Sequence, residues 1–253
     1  MSVEGKPPGW PQGVARILLE TVDSTNAYAA ALAPDAPTWI MAAEQTGGRG
    51  RRGRPWHSPR GNFYATLAMQ PMEPAAQVAL RSFAAALALR DACSALTGLD
   101  AGFSLKWPND VLLNGGKLAG ILLESSSAGP HIKHLAIGIG VNLIAAPAPH
   151  QVEAGAVPPV SLLAQTGVRI TPEVFLTNLA TRYAHWEAIF RTDGFAPLRR
   201  EWLSHAARLG EVITARIGAQ SETGVFDTID DSGALILKTP HSRRTIPAAE
   251  IFF

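Results

Sequence analysis

After Leu209 the texture of the sequence changes, and that change limits the architecture more than any single motif does. Val212 to Ile217, Gly224 to Ile229, Ala234 to Lys238 and Thr245 to Phe253 are short alternating runs, punctuated by Gly218, Asp230-Asp231-Ser232-Gly233 and Pro240. Four or five strands this short bury their apolar faces by curling into a small barrel. The expectation is a large domain over residues 1–206 and a small one over 207–253, which suits a chain of 253 residues.

Upstream the runs are longer. Val14 to Val22 is an apolar strand, and Asp23, Ser24, Thr25 and Asn26 are N-cap residues opening an Ala-rich helix that stops by Pro34. Thr38 to Ala43 and Phe63 to Met69 are further strands, and a long helix from Pro74 to about Leu96 carries Cys93 on a packed face. Phe103 to Trp107 and Asp110 to Leu113 are short strands broken by Pro108. Asn114-Gly115-Gly116 turns into a strand from Lys117 to Glu124, and another runs from Ile132 to Leu143. Pro147, Pro149, Pro158 and Pro159 mark a loop expected to order on binding. Thr171-Pro172 opens a helix whose Phe175, Leu179, Tyr183, Trp186 and Phe190 form a core stripe, and a shorter helix covers Pro197 to Ala206.

The composition excludes several classes. Apolar residues make up 47% and charged residues 17%, so the chain is globular rather than disordered. One cysteine allows neither an internal disulfide nor a zinc cluster, which suits a reducing cytoplasm. The longest mainly apolar stretch, Leu135 to Pro149, is broken by Asn142 and prolines, short of the ~20 residues that span a bilayer, and no apolar leader is seen. Cytoplasmic location without a membrane contact is expected.

Charge is concentrated. Arg49, Arg51, Arg52, Arg54 and Arg60 stand between Gln45 and Met72 with no acidic residue among them, while the whole chain carries only +1. An anion is expected to meet this segment. Gly48, Gly50 and Gly53 match G-x-G-x-x-G, but Arg54, Pro55 and Trp56 and then a strand follow, where a dinucleotide fingerprint must open a helix. The Walker pattern fails at Val111 and Leu118 around Gly116-Lys117. Glycine permits close backbone approach and arginine offers cationic forks, so the loop reads as a carboxylate or phosphate site, an RNA-binding Arg-Gly segment, or a solvated surface loop. Lys106-Trp107-Pro108-Asn109-Asp110 puts a lysine and a carboxylate around a proline bend, pointing to a phosphate and metal site or simply to a surface turn. Gly138 and Gly140 in GIGVN weaken a strand unless something approaches its backbone, with Asn142 beside them; a bulge explains them equally.

Taken together, Ser24-Thr25-Asn26, Gln45 with GRGRRGRPW, KWPNDVLLNGGKLAGILLE from Lys106 to Glu124, and GIGVNL from Gly138 to Leu143 resemble the biotin protein ligases in order and separation. The resemblance runs from about Val14 to the C-terminus. It implies an α+β fold: a mixed, mainly antiparallel sheet backed by helices, of the class II aminoacyl-tRNA synthetase and biotin/lipoate ligase type, followed by an SH3-like barrel. It implies that biotin and ATP, with Mg2+, form biotinyl-5'-AMP, and that biotin then passes to a lysine of a biotin carboxyl carrier protein. Biotin would be held by Ser24, Thr25, Asn26, Gln45, Arg49, Gly50, Arg51 and Lys106, and ATP by Arg51, Arg54, Lys106 and Asn142. Arg51 and Lys106 would be catalytic, and Asn142 would lie near the phosphates or their magnesium. Lipoate ligases share the chemistry, but their Arg-Arg-x-Ser-Gly-Gly-Gly segment is not found here. An RNA-binding module leaves Lys106 to Glu124 unexplained. About thirteen residues before the first strand are too few for a helix-turn-helix, so DNA binding is not expected. Both monomer and homodimer remain open.

Overall fold

The fold begins with a strand, a helix and a strand returning parallel to the first. In the computed structural model, which describes residues 9–128, 131–148, 151–153, 155–218 and 220–253, β1 (Ala15–Val22) leads into α1 (Thr25–Leu32), where the Ser24 side chain accepts from Ala27 N as the cap. β2 (Thr38–Gln45) pairs parallel with β1, and β3 (Phe63–Met69) antiparallel with β2. The expected long helix is two, α2 (Ala75–Ala79) and α3 (Arg81–Thr97). They part where Leu80 N bonds Gln77 O and Phe83 N bonds Leu80 O, in three-residue steps, and where Arg81, 2% exposed, turns inward to Glu73 and Glu187. β4 (Phe103–Lys106), β5 (Asp110–Leu113), β6 (Gly116–Ala128) and β7 (His131–Val141) complete a seven-stranded sheet in the order β1-β2-β3-β7-β6-β5-β4. Only the β1–β2 pair is parallel, so the mixed, mainly antiparallel expectation holds.

Both faces of the central strands are covered, which explains their continuous apolar character. On one face Trp39, Met41, Leu67, Ile137 and Ile139 join α3 and the later helices. On the other, α1 is the helix that packs among the described residues, through Ala29 against Ile40, Ala68 and Ala136. Thr66, Gly138 and Gly140 share this thinly covered face by register, Thr66 lying opposite Gly138 and Tyr64 opposite Gly140. A ligand has room there.

Beyond a short α4 (Leu162–Thr166), α5 (Pro172–Asp193) buries Phe175, Leu179, Tyr183 and Phe190, with Trp186 partly buried, so the aromatic stripe is core as expected. α6 runs Phe195–Ser204, two residues earlier at each end than expected, because Gly194 with φ +74° breaks from α5 and starts it. The last strands are β8 (Val212–Ile217), β9 (Gln220–Ile229), β10 (Leu235–Lys238), β11 (Arg243–Ile246) and β12 (Glu250–Phe252), all antiparallel in the order β11-β10-β9-β8-β12. The single strand expected from Thr245 to Phe253 is thus two. Pro247 interrupts it, β11 stays with β10, and β12 crosses to β8. Cys93 is fully buried, and burial pushes its thiol up to about 12. Among the described residues no helix is long and apolar enough to cross a membrane.

Candidate active site

A polar cluster forms where β1 ends and α1 begins. Ser24, Thr25 and Asn26 are at most 5% exposed because α1 starts against the sheet. Thr25 donates to Gln45 Oε1 through its backbone N (2.9 Å) and Oγ1 (3.0 Å), and Gln45 Nε2 donates to Ser58 Oγ (3.1 Å). Asn26 Nδ2 donates to Glu124 Oε2 at 2.7 Å, while its Oδ1 accepts from Thr66 Oγ1 at 2.6 Å. Four residues that the sequence singles out, Ser24, Thr25, Asn26 and Gln45, therefore meet. Thr66, Ser58 and Glu124 join them unannounced; the one signal for Thr66 was a hydroxyl inside the buried run FYATLAM. A Cβ at Gly138 would come within 2.3 Å of Asn26 Oδ1, and one at Gly140 within 2.6 Å of the Trp56 ring. Both glycines answer to close approach, not to a bulge.

The Gly/Arg loop is a closed hairpin. Gly50 N bonds Arg54 O, Trp56 N bonds Gly48 O, and only a three-residue turn, Arg51–Gly53, intervenes before the chain runs on to β3. No helix opens there, in keeping with the rejected dinucleotide fingerprint. The segment's charge was expected to await an outside anion, but most of it is neutralised from within. Arg49 pairs with Glu124 (3.4 Å), Arg52 with Glu250 (2.9 Å), Arg54 with Glu153 (2.7 Å) and with Glu250, and Arg60 with Glu20 (3.0 Å) and Glu44 (3.3 Å). Among the described residues Arg51 alone of the five has no carboxylate partner. It reaches only Asn109 Oδ1 and Ala249 O, each at 3.4 Å, and burial lowers its pKa.

Lys106 is the second such cation. It lies 9% exposed at the end of β4, opposite Asp110 in the β4–β5 register, with a cis Trp107–Pro108 bond in the turn. Burial lowers its pKa, Asp110 opposes that, and Lys117 and Arg51 add to it. Asp110 itself is paired with Lys117, Oδ1 to Nζ 2.8 Å. No group of three His, Cys, Asp or Glu side chains able to hold a metal is found among the described residues. Lys117 also faces the Trp56 ring at 5.7 Å, and sequence reasoning passed it over although it lies within the Lys106 to Glu124 motif. Asn142, 3% exposed, donates from Nδ2 to Val160 O (3.1 Å) and so fastens the following segment to the sheet.

Most of these groups, Ser24, Thr25, Asn26, Gln45, Arg51 and Lys106 among them, line one cleft of about 1030 Å³. The polar cluster is one part of its wall, Arg51 and Lys106 another, and Glu250, Ile251 and Phe252 of β12 bring the small sheet to its edge. Glu250 accepts from Arg52, Arg54 and Arg216, and hydrogen bonding to Arg54 is the main cause that holds its carboxyl at about 2 rather than its ordinary 4.5. A carboxyl pKa lowered by folding adds stability above about 4.5 that disappears as pH falls toward 2. Acid unfolding should therefore begin below pH 4.5, and Glu250→Gln should reduce stability at pH 7 while flattening that acid dependence. Unchanged pH curves for the variant would contradict the assignment.

Such a cleft suits a small polar molecule bearing an anionic end, with a second anion alongside. Comparison with known proteins agrees. Residues 18–142 match the Biotin/lipoate A/B protein ligase family, and residues 209–253 match the Biotin protein ligase C terminal domain. The chain is 55% identical to the biotin ligase of acetyl-CoA carboxylase from Paracoccus denitrificans, over 93% of this chain and 99% of that one. It is 30% identical to the bifunctional ligase/repressor BirA of Bacillus subtilis, over 93% of this chain and 71% of that one. Among solved structures, the Aquifex aeolicus biotin protein ligase in complex with biotin and ATP superposes with a TM-score of 0.80 at 27% identity, covering 94% of this chain and 97% of that one. A cleft built this way, on this sheet and with this sequence kinship, places the chain in the biotin protein ligase family.

Proposed function

We propose that this chain makes biotinyl-5'-AMP from biotin and ATP and passes biotin to a lysine of a biotin carboxyl carrier protein. The observation that carries the mechanism is a pair of cations without carboxylate partners among the described residues, the buried Lys106 and the half-buried Arg51, in the same cleft as the Ser24, Thr25, Asn26 and Gln45 cluster. Biotin's carboxylate must attack the α-phosphorus of ATP. The two anions repel, and oriented cations in a water-poor site offset that repulsion better than water does. We assign the ureido ring to the hydroxyl and amide cluster, the carboxylate and α-phosphate to Lys106 and Arg51, and closure over the valeryl chain to Arg49 and Gly50. The carboxylate oxygen attacks phosphorus, pyrophosphate leaves, and no base is needed. In the second step the carrier lysine's amine attacks the biotinyl carbonyl and AMP leaves.

Arg54 would contact phosphate only by giving up Glu250 and Glu153. Magnesium would travel on the nucleotide, with Asn142 Oδ1 as the protein oxygen on offer, since the described residues supply no acidic cluster. In this proposal residues 1–206 bind both substrates and 207–253 close one edge of the cleft.

The test is biotin-dependent exchange of pyrophosphate into ATP without any carrier. Exchange with lipoate and none with biotin would overturn the assignment. A finer test follows from Gly138. Alanine there must displace Asn26 from Thr66 and Glu124. Losing one such hydrogen bond costs about 1 to 1.5 kcal/mol, so KM for biotin should rise on the order of tenfold with kcat less affected. An unchanged KM would remove Asn26 from the biotin site.

A further inference from the structure

Lys106 is held by more than its own hairpin. Beside β4, Leu105 N donates to His205 O and Ala207 N to Leu105 O, each at 2.8 Å, so the segment leading into the small sheet braces the strand. The next residue, Trp107, is 3% exposed and donates its indole N–H to Gly233 O at 3.0 Å, in the turn between β9 and β10. That turn is seated tightly, since a Cβ at Gly233 would fall 2.8 Å from Phe83 Cε2. From the far end of the small sheet, just past β12, the Phe253 ring lies over the Lys106 ammonium with its centroid 5.4 Å from Nζ, and over Arg208 with its centroid 5.1 Å from Cζ.

The choice of an aromatic face has a chemical meaning. A carboxylate beside Lys106 would fix the ammonium but also neutralise it, and an incoming phosphate would have to displace it. A ring face attracts a cation through its quadrupole and brings no counter-charge. It therefore steadies the ammonium and leaves its full charge for the substrate. Lys117 in the same cleft shows the contrast, because its charge is spent on Asp110 at 2.8 Å.

We infer that Phe253 is a positioning residue for adenylation, its ring holding the Lys106 ammonium in line with the reacting anions without neutralising it. The inference rests on the assignment of Lys106 made above. Phe253 is 42% exposed, so replacing it opens no core cavity. Phe253→Leu should lower the single-turnover rate of biotinyl-AMP formation roughly three- to tenfold, the size of one cation–π contact, with KM for biotin within twofold. Phe253→Tyr, which keeps the ring, should restore the rate.

The decisive arm is the same substitution in a Lys106→Met background. A residue acting through Lys106 has nothing left to act on, so Phe253→Leu should cost nothing further there. An equal loss in both backgrounds would show a merely structural role and overturn the inference. So would a wild-type rate for Phe253→Leu beside a slow Lys106→Met, which leaves the function itself standing. A wild-type rate for Lys106→Met would overturn the inference together with the role of Lys106. The contact also reads out without activity. The Lys106 ε-proton resonances, identified by their loss in Lys106→Met, should be shifted upfield by the ring and return toward random-coil values in Phe253→Leu. Resonances unshifted in the wild type would overturn the proposal whatever the enzyme does.

Discussion

Lys106→Ala should slow biotinyl-AMP formation on the order of 10² to 10³, about 2.7 to 4 kcal/mol of transition-state stabilisation, while biotin binding changes much less. The asymmetry follows from where charge grows. In the ground state the biotin carboxylate and the α-phosphate are each already anionic and partly solvated. In the proposed arrangement, as the new bond forms, charge builds on the phosphoryl oxygens beside an ammonium that burial has stripped of water. That burial has a cost, visible as a pKa lowered from 10.5. The cost falls on the empty site, and a bound anion relieves it. Lys117 does not substitute, because its partner Asp110 already claims it. Single-turnover adenylation within tenfold of wild type would remove Lys106 from the reacting site. The same result with biotin affinity strongly reduced would move it to the substrate's ground state instead.

Arg51→Gly should make adenylate and lose it, with dissociation of biotinyl-AMP faster by on the order of tenfold to a hundredfold. The mixed anhydride reacts with any amine, so modifying one lysine requires that it stay enclosed. Of the five arginines in its loop, Arg51 is the one with no carboxylate among the described residues, and its contacts to Asn109 Oδ1 and Ala249 O are long at 3.4 Å. In the proposed site a phosphate or carbonyl oxygen would supply the partner that its guanidinium lacks among the described residues. A charge-assisted hydrogen bond of this kind contributes ~1.5 to 3 kcal/mol, which gives the stated range. The measurement is the biotinyl-AMP off-rate together with biotin appearing on an unrelated lysine-rich protein. A wild-type off-rate and no stray labelling would make Arg51 one more member of the basic run. Arg52→Gly is the natural control, since Glu250 already holds that residue.

What the sequence determined by itself is what local spacing encodes. Phe63–Met69 and Val212–Ile217 are strands as expected, because runs of apolar and β-branched residues settle strand formation within a few residues. Ser24 caps its helix because an N-cap is a contact over three residues. Lys106 faces Asp110 because a short hairpin around Pro108 leaves little choice. The same reasoning misjudged Thr245 to Phe253, where one alternating pattern serves two strands bound to different neighbours. Only the tertiary structure decided which cations are spent and which are available. By residue type and charge Arg52 and Arg54 do not differ from Arg51, which only the family resemblance singled out, yet Glu250, some 200 residues away, takes the first two and leaves the third. Coulombic pairing acts through space and depends on burial, so its outcome waits on the packing of β12 against the loop. Gly138 likewise became intelligible only when Asn26, far behind it in the chain, was seen resting on its backbone, since contact between side chain and glycine has no period that a sequence can display.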